Sequence, residues 1–145
     1  MNRVIKFRGK AIKPSLGWIY GDLIQLSEVL PVIQRYEGQM LVDGEECKRF
    51  SQDKVHPETV GQFTGLNDKE GLPIYEGDII KGPHDYRHVI QYFAPEARFT
   101  ANLIGFECFD HCGINQKWID DCAKVVIGNI HDNPELMKGD KICIQ

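Results

Sequence analysis

Cys108, His111, Cys112 and Cys122 are the side chains of this sequence best suited to hold a metal ion. Thiolate and imidazole are the donors that tetrahedral zinc takes; the first three lie within five residues and the fourth ten further on. Paired Cys-x-x-Cys knuckles are missing, so buried free thiols are the favoured explanation. His84 and His88 have the i, i+4 spacing of a helical metal pair, but Gly82-Pro83 just before them makes the stretch read as a solvated loop. Asp68, Glu70, Glu76 and Asp78 are concentrated enough to hold Mg²⁺ or to do acid–base work in a metal-dependent hydrolase. Each also suits a turn between strands, where a short carboxylate bonds nearby backbone amides, and the turn explanation is preferred. Lys6, Arg8 and Lys10 alternate along one segment, close to Trp18 and Tyr20. Basic strands beside aromatics can track a phosphate backbone and stack bases. Nucleophilic catalysis has the weakest support. Ser15, Ser27 and Ser51 have no identifiable His-Asp partner, no Gly-rich phosphate loop is present, and no catalytic residue is assigned.

The elements that must position these residues are mostly strands. From Val4 to Ile12, Ile5, Phe7 and Ala11 alternate with Lys6, Arg8 and Lys10, the period of a half-buried strand. Pro14, Ser15 and Gly17 turn the chain into Trp18–Ile24, so an amino-terminal hairpin is expected. Glu28–Tyr36 is ambiguous, because Pro31 tolerates only a helix start or an edge strand. Asp43-Gly44 between two β-type runs marks a second hairpin over Gly38–Phe50. Thr59–Thr64 and Ile79–Lys81 flank a loop rich in Gly, Asn, Asp and Pro, in which Gly77 and Asp78 set the last turn. Val89–Phe93, Phe99–Phe109 and Lys124–Ile130 are further strands. Asn115–Ala123 suits a short helix, and Asn133-Pro134 starts one helical turn. The sum is a single domain over residues 1–145, mainly β, of small-barrel type with one or two short peripheral helices.

Five cations, Arg3, Lys6, Arg8, Lys10 and Lys13, precede the first acid, Asp22, although the whole chain carries −4. A basic edge on an acidic body is a polarised surface rather than a uniformly basic one. The charged segment MNRVIKFRGK lacks the apolar stretch of a signal peptide, and no apolar run approaches the roughly 20 residues that span a bilayer. A cytoplasmic protein without membrane contact is expected, its five cysteines reduced.

Four strings, IKFRGK, WIYGDLI, ETVGQFTGLNDKEGLPIYEGDIIK and VIGNIHDNPELM, together resemble the YopX family, small proteins encoded by bacteriophages and prophages. The resemblance covers nearly the whole chain. It implies a mainly β fold around an SH3-like barrel and makes Gly61, Gly65, Gly71, Tyr75, Gly77 and Asp78 a structural signature. It implies no activity and no cofactor. The expected role is a phage or prophage accessory protein that works by binding an unknown protein or nucleic acid. The alternatives are a nucleic-acid-binding barrel that uses the basic amino-terminal strand and a metal-dependent hydrolase that uses the central carboxylates. Unpaired sheet edges add the expectation of a homo-oligomer.

Overall fold

A computed structural model describes residues 2–105 and 112–138. The chain forms two compact units, residues 1–63 and 64–145.

The first unit is a twisted antiparallel sheet. β1 (Phe7–Lys10) pairs with β2 (Trp18–Ile24), β2 with β3 (Val32–Val42), and β3 with β4 (Glu45–Lys54). On its other side β1 pairs with the start of β5 (Gly61–Asn67), so the order is β4-β3-β2-β1-β5. Alternation decides what is buried. Ala11, Ile19, Ile33 and Val55 form the core, with Phe7, Leu16, Leu23 and Val60 packed against it. Full burial of a side chain such as Ile33 contributes about 1.5–3 kcal/mol. The ambiguous stretch after Glu28 resolves as strand from Val32 onward, immediately after Pro31, whose missing N–H costs nothing at a strand start.

The second unit begins at Thr64, within β5, and β5 pairs with β6 (Pro73–Tyr75). β7 (Asp78–Lys81), β8 (Arg87–Phe93), β9 (Arg98–Leu103), β10 (Cys112–Gly113) and β11 (Val125–Asn129) form a second antiparallel sheet in the order β10-β9-β8-β7-β11. Both of its faces are buried. Ile80 and Ile90 join Ile74, Ala101 and Ile119 on one side, while Ile79 and Val89 pack with Ile104 on the other. Ile119 comes from α1 (Gln116–Asp121), whose N-cap Asn115 accepts the Trp118 N–H at 2.9 Å.

The mainly β class is as expected; a closed barrel is not. In neither sheet do the first and last strands pair. Closing the second sheet would need β10 to meet β11, yet among the described residues β10 covers Cys112–Gly113 and pairs with β9. Closure requires the outermost strands to tilt and stagger into register with each other, and among the described residues they do not meet. The strand expected over Phe99–Phe109 ends at Leu103, and residues 106–111 lie outside the described part. Among the described residues, no helix is long and apolar enough to cross a membrane.

Candidate functional site

The β1–β2 register places Arg8 opposite Tyr20 and Lys10 opposite Trp18. Because Phe7 and Ala11 turn to the core, Lys6, Arg8 and Lys10 all project from the opposite face of the sheet. There they meet the two aromatics. The Lys6 Nζ lies 6.0 Å from the Tyr20 ring centre, the Arg8 guanidinium 4.7 Å from that of Trp18, and the Lys10 Nζ 5.9 Å from Trp18. All are within cation–π range. Arg8 is 6% exposed, so its guanidinium is held against Trp18, whereas Tyr20 is 41% exposed and open to a ligand. Neither aromatic is part of the core.

The same face continues across β3 and β4. Asp22 stands opposite Gln34, Gln34 opposite Gln52, Tyr36 opposite Phe50 and Val32 opposite Lys54. The exposed rings of Tyr36 and Phe50 are 5.7 Å apart, and the Gln52 amide donates to Gln34 Oε1 at 2.7 Å. Sequence reasoning missed Tyr36, Phe50 and Lys54 because the strand identity of Val32–Tyr36 was needed to see their parity. Basic and aromatic side chains thus interleave on one sheet face, with Asp22 as the acid among them.

The central carboxylates are arranged differently. Asp68 Oδ1 accepts the backbone N–H groups of Glu70 at 2.9 Å and Leu72 at 2.8 Å, and Oδ2 accepts that of Val126 at 3.0 Å. Asp78 Oδ2 accepts the Tyr75 N–H at 2.8 Å and, like Asp68, is buried. Glu70 is exposed and Glu76 half-buried. Asp68 and Asp78 therefore direct oxygens at backbone amides between β5 and β7, and Asp68 also at the Val126 amide of β11, which is work for a turn cap rather than for a metal. Gly77 follows the same logic: at φ +90° its N–H donates to Ile90 O at 2.8 Å, and its carbonyl accepts from Ile130 N at 3.0 Å. Of the other signature positions, Gly61 lies opposite Arg8, Tyr75 is buried, and Gly65 and Gly71 both have φ +86°.

Of the zinc candidates, Cys108 and His111 lie outside the described residues. Cys112 on β10 and Cys122, the C-cap of α1, are exposed free thiols. Among the described residues no three His, Cys, Asp or Glu side chains converge on one point.

His84 is exposed in the turn after β7, as expected of a loop residue. His88 is not in a loop. It stands on β8 opposite Ile80, with its ring edge-on to Trp118 at 5.4 Å. Burial, followed by the nearby Lys124 ammonium, lowers its pKa from 6.5 to about 4. Lys124 is 8% exposed, with its Nζ 5.2 Å from the Trp118 ring centre, and burial lowers its pKa against an opposing pull from Cys122. Between pH 6.5 and about 4 the unfolded chain binds a proton that folded His88 excludes. Stability therefore rises with pH through that window and falls on acidification. With allowance for a half-exposed ring, the expected loss is about 1 kcal/mol by pH 5. Urea midpoints at neutral pH and at pH 5 should differ accordingly, and His88→Gln should remove that part of the difference. An unchanged slope in the variant would clear His88 of the effect.

A family model described as YopX protein matches residues 6–138. No curated protein matches the chain. Among solved structures, the crystal structure of protein EF1440 from Enterococcus faecalis is similar with a TM-score of 0.62. The two sequences are 24% identical, and the match covers 94% of this chain and 100% of that one. Likeness at that identity is a likeness of fold.

Proposed function

This chain belongs to the YopX family, and we propose that it is a non-enzymatic phage or prophage accessory protein that binds single-stranded nucleic acid in the cytoplasm. The observation that carries the reading is the convergence of Lys6, Arg8 and Lys10 on Trp18 and Tyr20, on a sheet face that continues into Tyr36, Phe50 and Lys54. Cations neutralise phosphates while exposed rings stack on bases, at about 1–3 kcal/mol per stacked base. A single strand suits the face better than a duplex, because its bases are available for stacking. The acidic remainder of the molecule opposes long-range attraction, so binding is expected to be modest and strongly salt-dependent.

Fluorescence anisotropy with a labelled single-stranded oligonucleotide, between about 50 and 200 mM salt, tests this. Lys6→Ala/Lys10→Ala should weaken binding about tenfold and flatten the salt slope by roughly 1.4, the share of two phosphate contacts on a single strand. Arg8 is left in place because it is buried against Trp18. Absence of binding at the lowest salt, or a double variant that binds as well as wild type, would sink the proposal.

A further inference from the structure

Among the described residues, β4 is the outer strand of its sheet and its ladder runs along β3; only its last residue, Lys54, reaches elsewhere, its carbonyl accepting the Ile12 N–H at 2.9 Å. β3 holds β2 only over Val32–Gln34, so beyond that point β3 and β4 run on as a two-stranded ribbon. Such a ribbon is marginal in water without a third strand. This one also leaves Tyr36, Met40, Leu41, Val42 and Phe50 exposed. At its tip Asp43 and Gly44 both take positive φ, +50° and +82°, the signature of a two-residue type I′ turn.

Along β4 the charges run Glu45-Glu46-Cys47-Lys48-Arg49. Their cross-strand neighbours on β3 are Val42, Leu41, Met40, Gln39 and Gly38, none of which is charged. Arg35, Glu37, Asp53, His56 and Glu58 of this unit form ion pairs, and among the described residues none of these four β4 charges does. The segment is, however, its own complement when read antiparallel. With Cys47 facing Cys47 of a second copy, Glu45 faces Arg49 and Glu46 faces Lys48, and twofold symmetry repeats both pairs.

The backbone selects the same register. A type I′ turn makes Val42–Glu45 a hydrogen-bonded pair, so Glu45, Cys47 and Arg49 direct their amides to β3. Glu46 and Lys48 direct theirs to the open edge, and the Cys47-centred register sets those two against each other as a hydrogen-bonded pair. The next registers the backbone permits are centred on Glu46 or on Lys48. They place Glu46 on Glu46, or Lys48 on Lys48, and like charges directly opposite are unfavourable.

We infer that this protein forms a twofold homodimer by antiparallel pairing of β4 with β4 of a second copy, centred on Cys47. Charge on an edge strand is also a device against association, but that purpose needs no particular order. Here the order cancels in one register and repels in its neighbours. Dimerisation joins the two marginal ribbons into one four-stranded segment with the β4 strands at its centre, and gives the charges their partners.

Sedimentation of nuclease-treated full chain over a range of concentration and salt measures the dimer directly. Wild type should dimerise, more weakly as salt rises. Glu45→Lys/Glu46→Lys and Lys48→Glu/Arg49→Glu should each associate about tenfold or more weakly, since all four charge pairs become repulsive. An equimolar mixture of the two variants should recover a heterodimer, which misfolding of either would prevent. Under diamide, which takes up the two electrons and two protons lost by a thiol pair, protein carrying Cys108→Ser, Cys112→Ser, Cys122→Ser and Cys143→Ser should cross-link through Cys47, its one remaining thiol, as read by peptide mapping. The inference fails if wild type stays monomeric to near-millimolar concentration, if either variant dimerises like wild type, or if the mixture does not pair.

Discussion

Asp68→Ala should lower the stability of the second unit by about 3–5 kcal/mol, measured as a shift in the urea unfolding midpoint at constant slope. Asp68 is 4% exposed, and its carboxylate accepts three backbone N–H groups, from Glu70, Leu72 and Val126. Alanine removes an acceptor from all three N–H groups at once, and loss of a hydrogen bond to a charged group costs about 1.5–3 kcal/mol, less at the exposed residues Glu70 and Leu72, where water can replace it. The turn's own backbone bonds, Asp68 N–H to Leu72 O at 2.8 Å and Gly71 N–H to Asp68 O at 3.0 Å, are untouched, so the effect isolates the side chain. Asp68→Asn should cost less, because one carbonyl oxygen can still serve the Glu70 and Leu72 amides while its NH₂ group confronts the Val126 N–H. The control separates the turn cap from the hydrolase alternative. If Asp68→Ala kept its stability and lost a metal-dependent turnover, the carboxylate would have to be reassigned to chemistry.

Gly21→Ala should be comparably damaging to the first unit, at about 3 kcal/mol or more, for a steric reason. A Cβ on Gly21 would sit 2.1 Å from Gln34 O and 3.0 Å from Gln34 C, both of them backbone atoms of β3. Backbone in a ladder cannot yield as a side-chain tip can. The neighbouring pairs Asp22–Gln34 and Leu23–Ile33 would have to separate, and they belong to the short stretch that ties β3 to β2. Gly44→Ala is the useful contrast. Its Cβ would meet open space, so the cost is that of a left-handed backbone, about 1–2 kcal/mol. Hydrogen exchange should show lost protection across Val32–Gln34 in Gly21→Ala and local fraying only in Gly44→Ala. Equal stability of Gly21→Ala and wild type would mean that β2 and β3 are not so closely apposed.

Where a signal is local, residue type and spacing were enough. The alternation of Phe7 and Ala11 with Lys6, Arg8 and Lys10 marked β1, Asp43-Gly44 marked the ribbon's turn, and Asn115 marked the start of α1. Each depends on φ/ψ preference or on a hydrogen bond reaching at most a few residues along the chain. His88 escaped the same reasoning. Gly82-Pro83 correctly signalled a turn, but β8 begins five residues after Gly82, and its burial depends on Trp118 and Lys124, some thirty residues away. Barrel closure escaped it too, since β-type runs do not say whether the outermost strands meet.

By itself, then, the sequence determined the mainly β class, several of the turns and, along β1, which side chains share a face, because those follow from backbone preference and a period of two. Only the tertiary structure decided which strand lies beside which. That pairing set Arg8 and Lys10 against Trp18, brought Asp68 to the Val126 amide 58 residues away, and left β4 with a free edge whose charges lack partners on β3. Contacts between distant segments depend on how every intervening element packs, and no local residue pattern encodes that sum.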